Sequence, residues 1–293
     1  MTIDGAATAA RAGQAGLPLI FRLTAGGRRL LPAGGVALMH RSIIARPLRR
    51  VLAGAAPAGI QAVEVCGGGL KGATLRVDLS CEKYYWLGTH EARVQEILAR
   101  QVRAGSVVYD IGAHAGFFTL LCSRLTGERG RVFAFEPRAE NIERLRRNIE
   151  ANSAGNVEVV AAAASDRAGE APFVMHASTL EGYLAADGEA SAARVRTETI
   201  DALVAGGMAP PDLMKIDVEG AEAAVIRGAA RTIDAHRPLM LIEVHSMEAG
   251  RGVAVALPCA YVFRDIATGN EVEGPVKPAH YLARPLAGPE RTS

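Results

Sequence analysis

The sequence predicts an α/β fold: a doubly wound, mostly parallel sheet with helices on both faces. Three observations predict it. Apolar, β-branched runs of strand length recur from Ser106 onward; stretches of helical periodicity separate them; and a glycine or proline stands where most runs begin or end.

The elements follow in order. Val63–Val65 and Thr74–Leu79 read as short antiparallel strands, and Val94, Ile97, Leu98 and Val102 mark a helix that Thr89 is placed to cap. Ser106–Ile111 is the first core strand, followed at once by Gly112, and Phe117–Leu125 reads as a short helix. Arg131–Glu136 is the second strand, broken by Pro137, and Ile142, Leu145 and Ile149 fall at helical spacing behind it. Val157–Ala161 is a third strand, and Leu213–Asp217 a fourth, entered through Pro210-Pro211 and left through a helix near Ala221–Ala230. Pro238 opens a fifth, Leu239–Val244, while Tyr261–Asp265 and the Gly269-Asn270 turn predict a closing hairpin. Residues 176–193 read as an irregular excursion, and no internal repeat is present. Three segments are expected: a basic N-terminal extension (1–55), a hairpin and helix leading into the core (56–104), and the main domain (105–293).

Composition bounds the function. Of 293 residues, 33 are Lys or Arg and 31 Asp or Glu, a net charge of +2, which argues against a dedicated nucleic-acid binder. Hydrophobic residues at 49% exclude a disordered chain. Cys66, Cys81, Cys122 and Cys259 form no C-x-x-C pair and read as reduced thiols, not as a disulfide frame or zinc site. No run approaches the ~20 apolar residues of a membrane span, so the expectation is a soluble, cytoplasmic protein without stable membrane insertion. Residues 1–55 hold eight arginines against Asp4 alone. Compositional bias explains this segment better than a basic arm for a membrane or polyanion or an organelle transit peptide.

Gly67–Gly72 matches G-x-G-x-x-G, but strand-forming Thr74–Val77 follows where a dinucleotide site needs a helix N-terminus. A hairpin turn explains those glycines. The informative loop is Asp110–Gly116, of form D-x-G-x-x-x-G, between the first core strand and its helix. Gly112 lets backbone approach a ligand, and Gly116 allows tight entry into the helix at Phe117. Asp110 would repel a diphosphate and attract an ammonium such as that of S-adenosylmethionine. Glu136 ends the next strand, before Pro137, where it can accept ribose hydroxyls. The competing reading has both acids as helix caps.

Val108–Gly116, Phe135-Glu136-Pro137, Ala164-Ser165-Asp166, Thr199-Ile200-Asp201 and above all Lys215–Glu222 (KIDVEGAE) resemble the FkbM-type family of S-adenosylmethionine-dependent methyltransferases, over roughly residues 80–246. The resemblance implies a seven-stranded sheet of order 3-2-1-4-5-7-6, S-adenosylmethionine as cofactor, and methyl transfer mostly to hydroxyl oxygen of sugars or natural products. The family's usual asparagine is replaced here by His114. The cofactor set expected is Asp110, Gly112, Ala113, His114, Gly116, Phe117, Glu136 and Pro137, with Ala163, Ala164 and Asp166 meeting the adenine.

A hydroxyl acceptor needs a base. Asp217 and Glu219 follow the fourth strand, and Glu243 and His245 lie at the fifth, two apart and so on one face. Asp217, Glu219 and His245 are the expected catalytic residues, with His245 the base by its ordinary pKa; Glu219 as a first-turn helix acid is the alternative. Nothing in the sequence fixes three metal ligands, so no metal is expected. Tyr84, Tyr85 and Trp86 read as cavity cover or core. A nicotinamide oxidoreductase and a non-catalytic module are the competing functions; the first lacks its glycine motif in context.

Overall fold

The computed structural model describes residues 59–175, 182–184, 193–275 and 277–286. The basic extension over 1–55 lies outside them, as does most of the excursion over 176–193. In chain order the elements are β1 (Ile60–Glu64), β2 (Thr74–Asp78), α1 (Lys83–Leu87), α2 (Ala92–Gln101), β3 (Val107–Ile111), α3 (Phe117–Thr126), β4 (Arg131–Phe135) and α4 (Ala139–Ala151). β5 (Val157–Val160), β6 (Ala163–Ala164), β7 (Gly169–Met175), β8 (Gly182–Leu184), β9 (Ala193–Glu198), α5 (Ile200–Ala205) and β10 (Leu213–Ile216) follow. The chain continues with α6 (Glu222–Gly228), α7 (Ala230–His236), β11 (Leu239–Val244), α8 (Met247–Ala256), β12 (Tyr261–Asp265), β13 (Glu271–Val272) and β14 (Ala279–Pro285).

The main sheet has eight strands in the order β5-β4-β3-β10-β11-β14-β12-β13. β5 through β11 run parallel, and β14 enters antiparallel between β11 and β12. With the strands counted from β3, this is the expected order 3-2-1-4-5-7-6, extended by the short β13. The central parallel strands β3, β4 and β10 read as near-continuous apolar runs because both their faces are buried. Val108, Leu213 and Leu241 pack on one face with Leu98, Phe117 and Leu121. Their neighbours Tyr109, Met214, Met240 and Ile242 pack on the other with Val225 and Ile233.

Two further sheets flank this one. β1 and β2 pair antiparallel through a short turn at Gly68–Leu70, which is the hairpin expected of the glycine run. β6, β9, β7 and β8 form a separate four-stranded sheet, and β8 falls within the segment read as irregular. Ala163-Ala164 therefore does not continue β5 but pairs parallel with β9. Thr89 does not cap α2: its first turn follows Glu91, at a left-handed φ of 40° and without a side-chain cap. A buried ion pair ties the hairpin to the core, with Arg144 Nη2 on α4 donating to Glu82 Oε1 at 2.7 Å and Oε2 at 2.5 Å. All four cysteines are free thiols, and no helix among the described residues is long and apolar enough to cross a membrane.

Candidate active site

A cavity of about 410 Å³ opens over the carboxyl ends of β3, β4, β10 and β11, where a doubly wound sheet places its ligands. One wall comes from α1 and the start of α2 through Tyr84, Tyr85, His90 and Glu91, and another from β6 through Ala163 and Ala164. Its size falls within the ~300–1,000 Å³ of small-molecule sites.

The turn after β3 shapes its floor. Gly112 has φ +86°, and a Cβ there would lie 1.8 Å from the Asp217 carbonyl oxygen. Its glycine is thus required by the crossing of two chain segments. The Gly112 and Ala113 amides both donate to the Phe135 carbonyl, at 3.1 and 2.9 Å. Gly116, at φ +90°, precedes Phe117 and leaves room for Leu145, as its role in helix entry requires.

Glu136 lies at the end of β4, buried in the cavity wall. Its Oε2 accepts from the His114 amide at 2.9 Å, and its Oε1 from the Arg138 amide at 2.9 Å and Asn141 Nδ2 at 3.2 Å. A carboxylate has about four acceptor sites, so the one left on Oε2 suits a single further hydroxyl. Burial pushes this carboxyl above its ordinary range despite the three donors. His114 holds a left-handed φ of 51°, and its Nδ1 stands 3.3 Å from the Tyr85 hydroxyl. Tyr85 stacks on Phe117 with ring centroids 5.0 Å apart, and burial pushes its phenol far up. Trp86 points away, into the core.

The opposite side is acidic. Burial pulls the Lys215 ammonium down, but Asp217, Asp110 and Glu91 outweigh it and hold its pKa above the ordinary value. Its Nζ lies 3.1 Å from Asp217 Oδ2, 3.6 Å from Asp110 Oδ1, and 5.0 Å from the Phe118 ring centre. Burial opposes the charge on Asp217, and Lys215 overcomes it to lower that pKa. Glu219 borders the cavity at a left-handed φ of 52°. It precedes α6 by three residues, so it is not a first-turn acid; Glu222 has that place. His245 stands among four carboxylates: Nδ1 is 2.6 Å from Glu222 Oε1, and Nε2 is 3.1 Å from Glu219 Oε2, 3.7 Å from Glu243 Oε1 and 3.8 Å from Asp217 Oδ1. Burial alone would lower its pKa, but Glu222, Glu219, Glu243 and Asp217 push it up to about 9.

The structure therefore brings Gly112, Ala113, His114, Phe117, Glu136, Pro137, Ala163, Ala164, Asp217 and Glu219 to one cavity. Four expected residues do not line it. Asp110 is fully buried behind it, accepting from Thr119 Oγ1 at 2.6 Å and facing Lys215, so the ammonium it meets is the protein's own. Gly116 lies at the helix start. Asp166 turns to Arg227, with 2.9 Å between Oδ2 and Nε. His245 is not among the lining residues, and the four carboxylates around it push its pKa up to about 9, above the ordinary value on which its expected role as base rests.

Sequence reading missed Lys215, Glu91 and His280. Lys215 had a signal, a cation inside an otherwise apolar strand and two residues from Asp217. Glu91 and His280 had none: His280 Nε2 lies 3.2 Å from Glu91 Oε2 and 3.1 Å from Glu243 Oε2, across segments far apart in the chain.

Comparison with known proteins gives the family. The family described as the methyltransferase FkbM domain matches residues 110–266. The hexuronic acid methyltransferase AglP of Haloferax volcanii is 27% identical over 157 residues, which are 53% of this chain and 63% of that protein. The match thus spans a little under two thirds of that relative's length. Among solved structures, the methyltransferase FkbM of Methylobacillus flagellatus aligns with a TM-score of 0.40 at 15% identity, over 80% of this chain and 58% of its own. Aeropyrum pernix fibrillarin, solved with bound S-adenosyl-L-methionine, aligns at 0.40 and 13% identity, over 64% and 68%.

Proposed function

The chain belongs to the FkbM methyltransferase family, its cofactor is S-adenosylmethionine, and from that premise we propose that it methylates a hydroxyl oxygen of a sugar. The observation that carries the reading is the division of the cavity into an apolar, ribose-accepting side and an acidic side.

On the first side, Ala163, Ala164, Phe135 and Pro137 offer apolar contact for the adenine, and the free site on Glu136 Oε2 takes a ribose hydroxyl. Ala113, His114 and Phe117 close the turn beneath it. Asp110 and Gly116 support this wall from behind, one by anchoring Lys215 and the other by starting α3. The cofactor supplies a methyl group on a sulfonium, which displacement transfers without redox chemistry.

On the second side, Asp217 and Glu219 take the acceptor. Asp217, kept ionised by Lys215, accepts a hydrogen bond from the sugar and aligns it; alignment supplies much of the rate in an in-line displacement. Glu219, the more open of the two, takes the hydroxyl proton as the oxygen attacks. His245 is a positioning residue: its proton keeps the surrounding carboxylates together. Sugar hydroxyls are good donors to carboxylates, and the relative that acts on a hexuronic acid supports a carbohydrate acceptor.

The test is incubation with S-adenosylmethionine and a panel of neutral, amino and acidic sugars, with products read by mass spectrometry. A methyl ether on a sugar is the expected product. Methylation only of a nitrogen or a non-carbohydrate acceptor would overturn the reading.

A further inference from the structure

Asp217, Glu243 and His245 each offer one ligand atom, and these atoms lie within 4.8 Å of one another. Two strands supply them: Asp217 follows β10, and Glu243 and His245 lie two apart at the end of β11. His245 Nε2 stands 3.8 Å from Asp217 Oδ1 and 3.7 Å from Glu243 Oε1. Ligands about 2.0–2.2 Å from one metal ion stand roughly 3–4 Å apart, so these spacings admit a small cation between them.

The independent observation is how each ligand is held from behind. Asp217 commits Oδ2 to Lys215 Nζ at 3.1 Å, which leaves Oδ1 toward the common point. Glu243 commits Oε2 to His280 Nε2 at 3.1 Å, which leaves Oε1. His245 commits Nδ1 to Glu222 Oε1 at 2.6 Å and turns Nε2 toward the common point, where Glu219 Oε2 also approaches it at 3.1 Å. Glu222 is wholly buried against the imidazole, and its Oε2 has no hydrogen-bond partner among the described residues. A buried carboxylate on the far nitrogen is the arrangement that fixes the tautomer of a metal-binding histidine. Three ligands, each oriented from behind by a different partner and facing one point with Glu219 beside it, form a prepared set and not a chance gathering of surface acids.

We propose that Asp217, Glu243 and His245 bind a divalent cation of the Mg²⁺ or Mn²⁺ class at the acceptor side of the cavity. Two carboxylate oxygens and one imidazole nitrogen suit such an ion, with water or acceptor oxygen filling the remaining positions. Binding releases the imidazole proton. Set beside Glu219, the cation makes an acceptor hydroxyl easier to deprotonate. That use rests on the methyltransferase reading; the binding itself does not.

The test titrates Mn²⁺ into chelator-treated full-length protein by calorimetry, with S-adenosylhomocysteine titrated separately into the same metal-free sample. One Mn²⁺ per chain is expected, weakened at least tenfold in Glu243→Gln and His245→Ala and ~10–100-fold in Glu222→Gln. No Mn²⁺ bound by the wild type, or unchanged affinity in folded Glu243→Gln and His245→Ala, overturns the proposal. Loss of S-adenosylhomocysteine binding alone would overturn the methyltransferase reading and leave the cation site standing.

Discussion

Lys215 and Asp110 are register partners across β10 and β3, and their charged groups meet 3.6 Å apart inside the sheet's carboxyl edge. The pair joins two parts of the site. Asp110 begins the turn that carries the cofactor side, and Lys215 holds Asp217 on the acceptor side.

Breaking that pair leaves the buried Asp110 and the half-buried Asp217 without their cation. Removing one partner of a buried ion pair costs ~3–5 kcal/mol. Lys215→Met is therefore expected to destabilise the fold on that scale, measured by urea unfolding at neutral pH. An unchanged midpoint would mean that Asp110 and Asp217 are compensated from elsewhere.

Glu136 gives a separable effect. Its carboxylate accepts from the His114 amide, the Arg138 amide and Asn141. Glu136→Gln keeps the shape but turns one acceptor group into a donor. The expected outcome is a loss of at least ~1.4 kcal/mol in S-adenosylhomocysteine affinity, a factor of ten, by calorimetry. Equal affinity in the two proteins would remove Glu136 from the cofactor contacts.

Asp201 sets an acid limb of stability far from the site. Burial opposes its charge, but the amides of Thr232 and Arg231 and the Thr232 hydroxyl outweigh burial and lower its pKa. A carboxylate that titrates lower folded than unfolded stabilises above its unfolded pKa, and this stability is lost as pH falls through the folded value. Asp201→Asn should thus be less stable than wild type at neutral pH by ~1–2 kcal/mol, with the difference shrinking as pH falls below ~4. A difference that stays constant with pH would contradict the assignment.

Much of this architecture was legible in the chain. Runs such as Val108–Ile111 and Leu213–Ile216 are apolar but for Asp110 and Lys215 because both faces of a parallel sheet are covered, and that pattern depends only on local sequence. The glycine loop and Glu136 were legible for the same reason: turn, strand end and helix start lie within one segment. What was not legible depends on packing between distant segments. Asp110 looks like a ligand carboxylate until β10 brings Lys215 beside it. His245 looks like a base at its ordinary pKa until Glu222, Glu219, Glu243 and Asp217 surround it. Glu91 and His280 meet only because β14 inserts between β11 and β12, and Asp166 leaves the cavity because α6 offers Arg227.

The central claim is that the cavity over β3 and β4 binds S-adenosylmethionine. The most direct measurement is thermal unfolding of the full chain with S-adenosylhomocysteine, NAD and ATP in parallel. A ligand at one hundred times its Kd adds ~2.7 kcal/mol, which raises the midpoint by several degrees. A rise with S-adenosylhomocysteine alone, reduced in Glu136→Gln, is the result predicted. A rise with NAD in its place, or no rise with S-adenosylhomocysteine at saturating concentration, would contradict it.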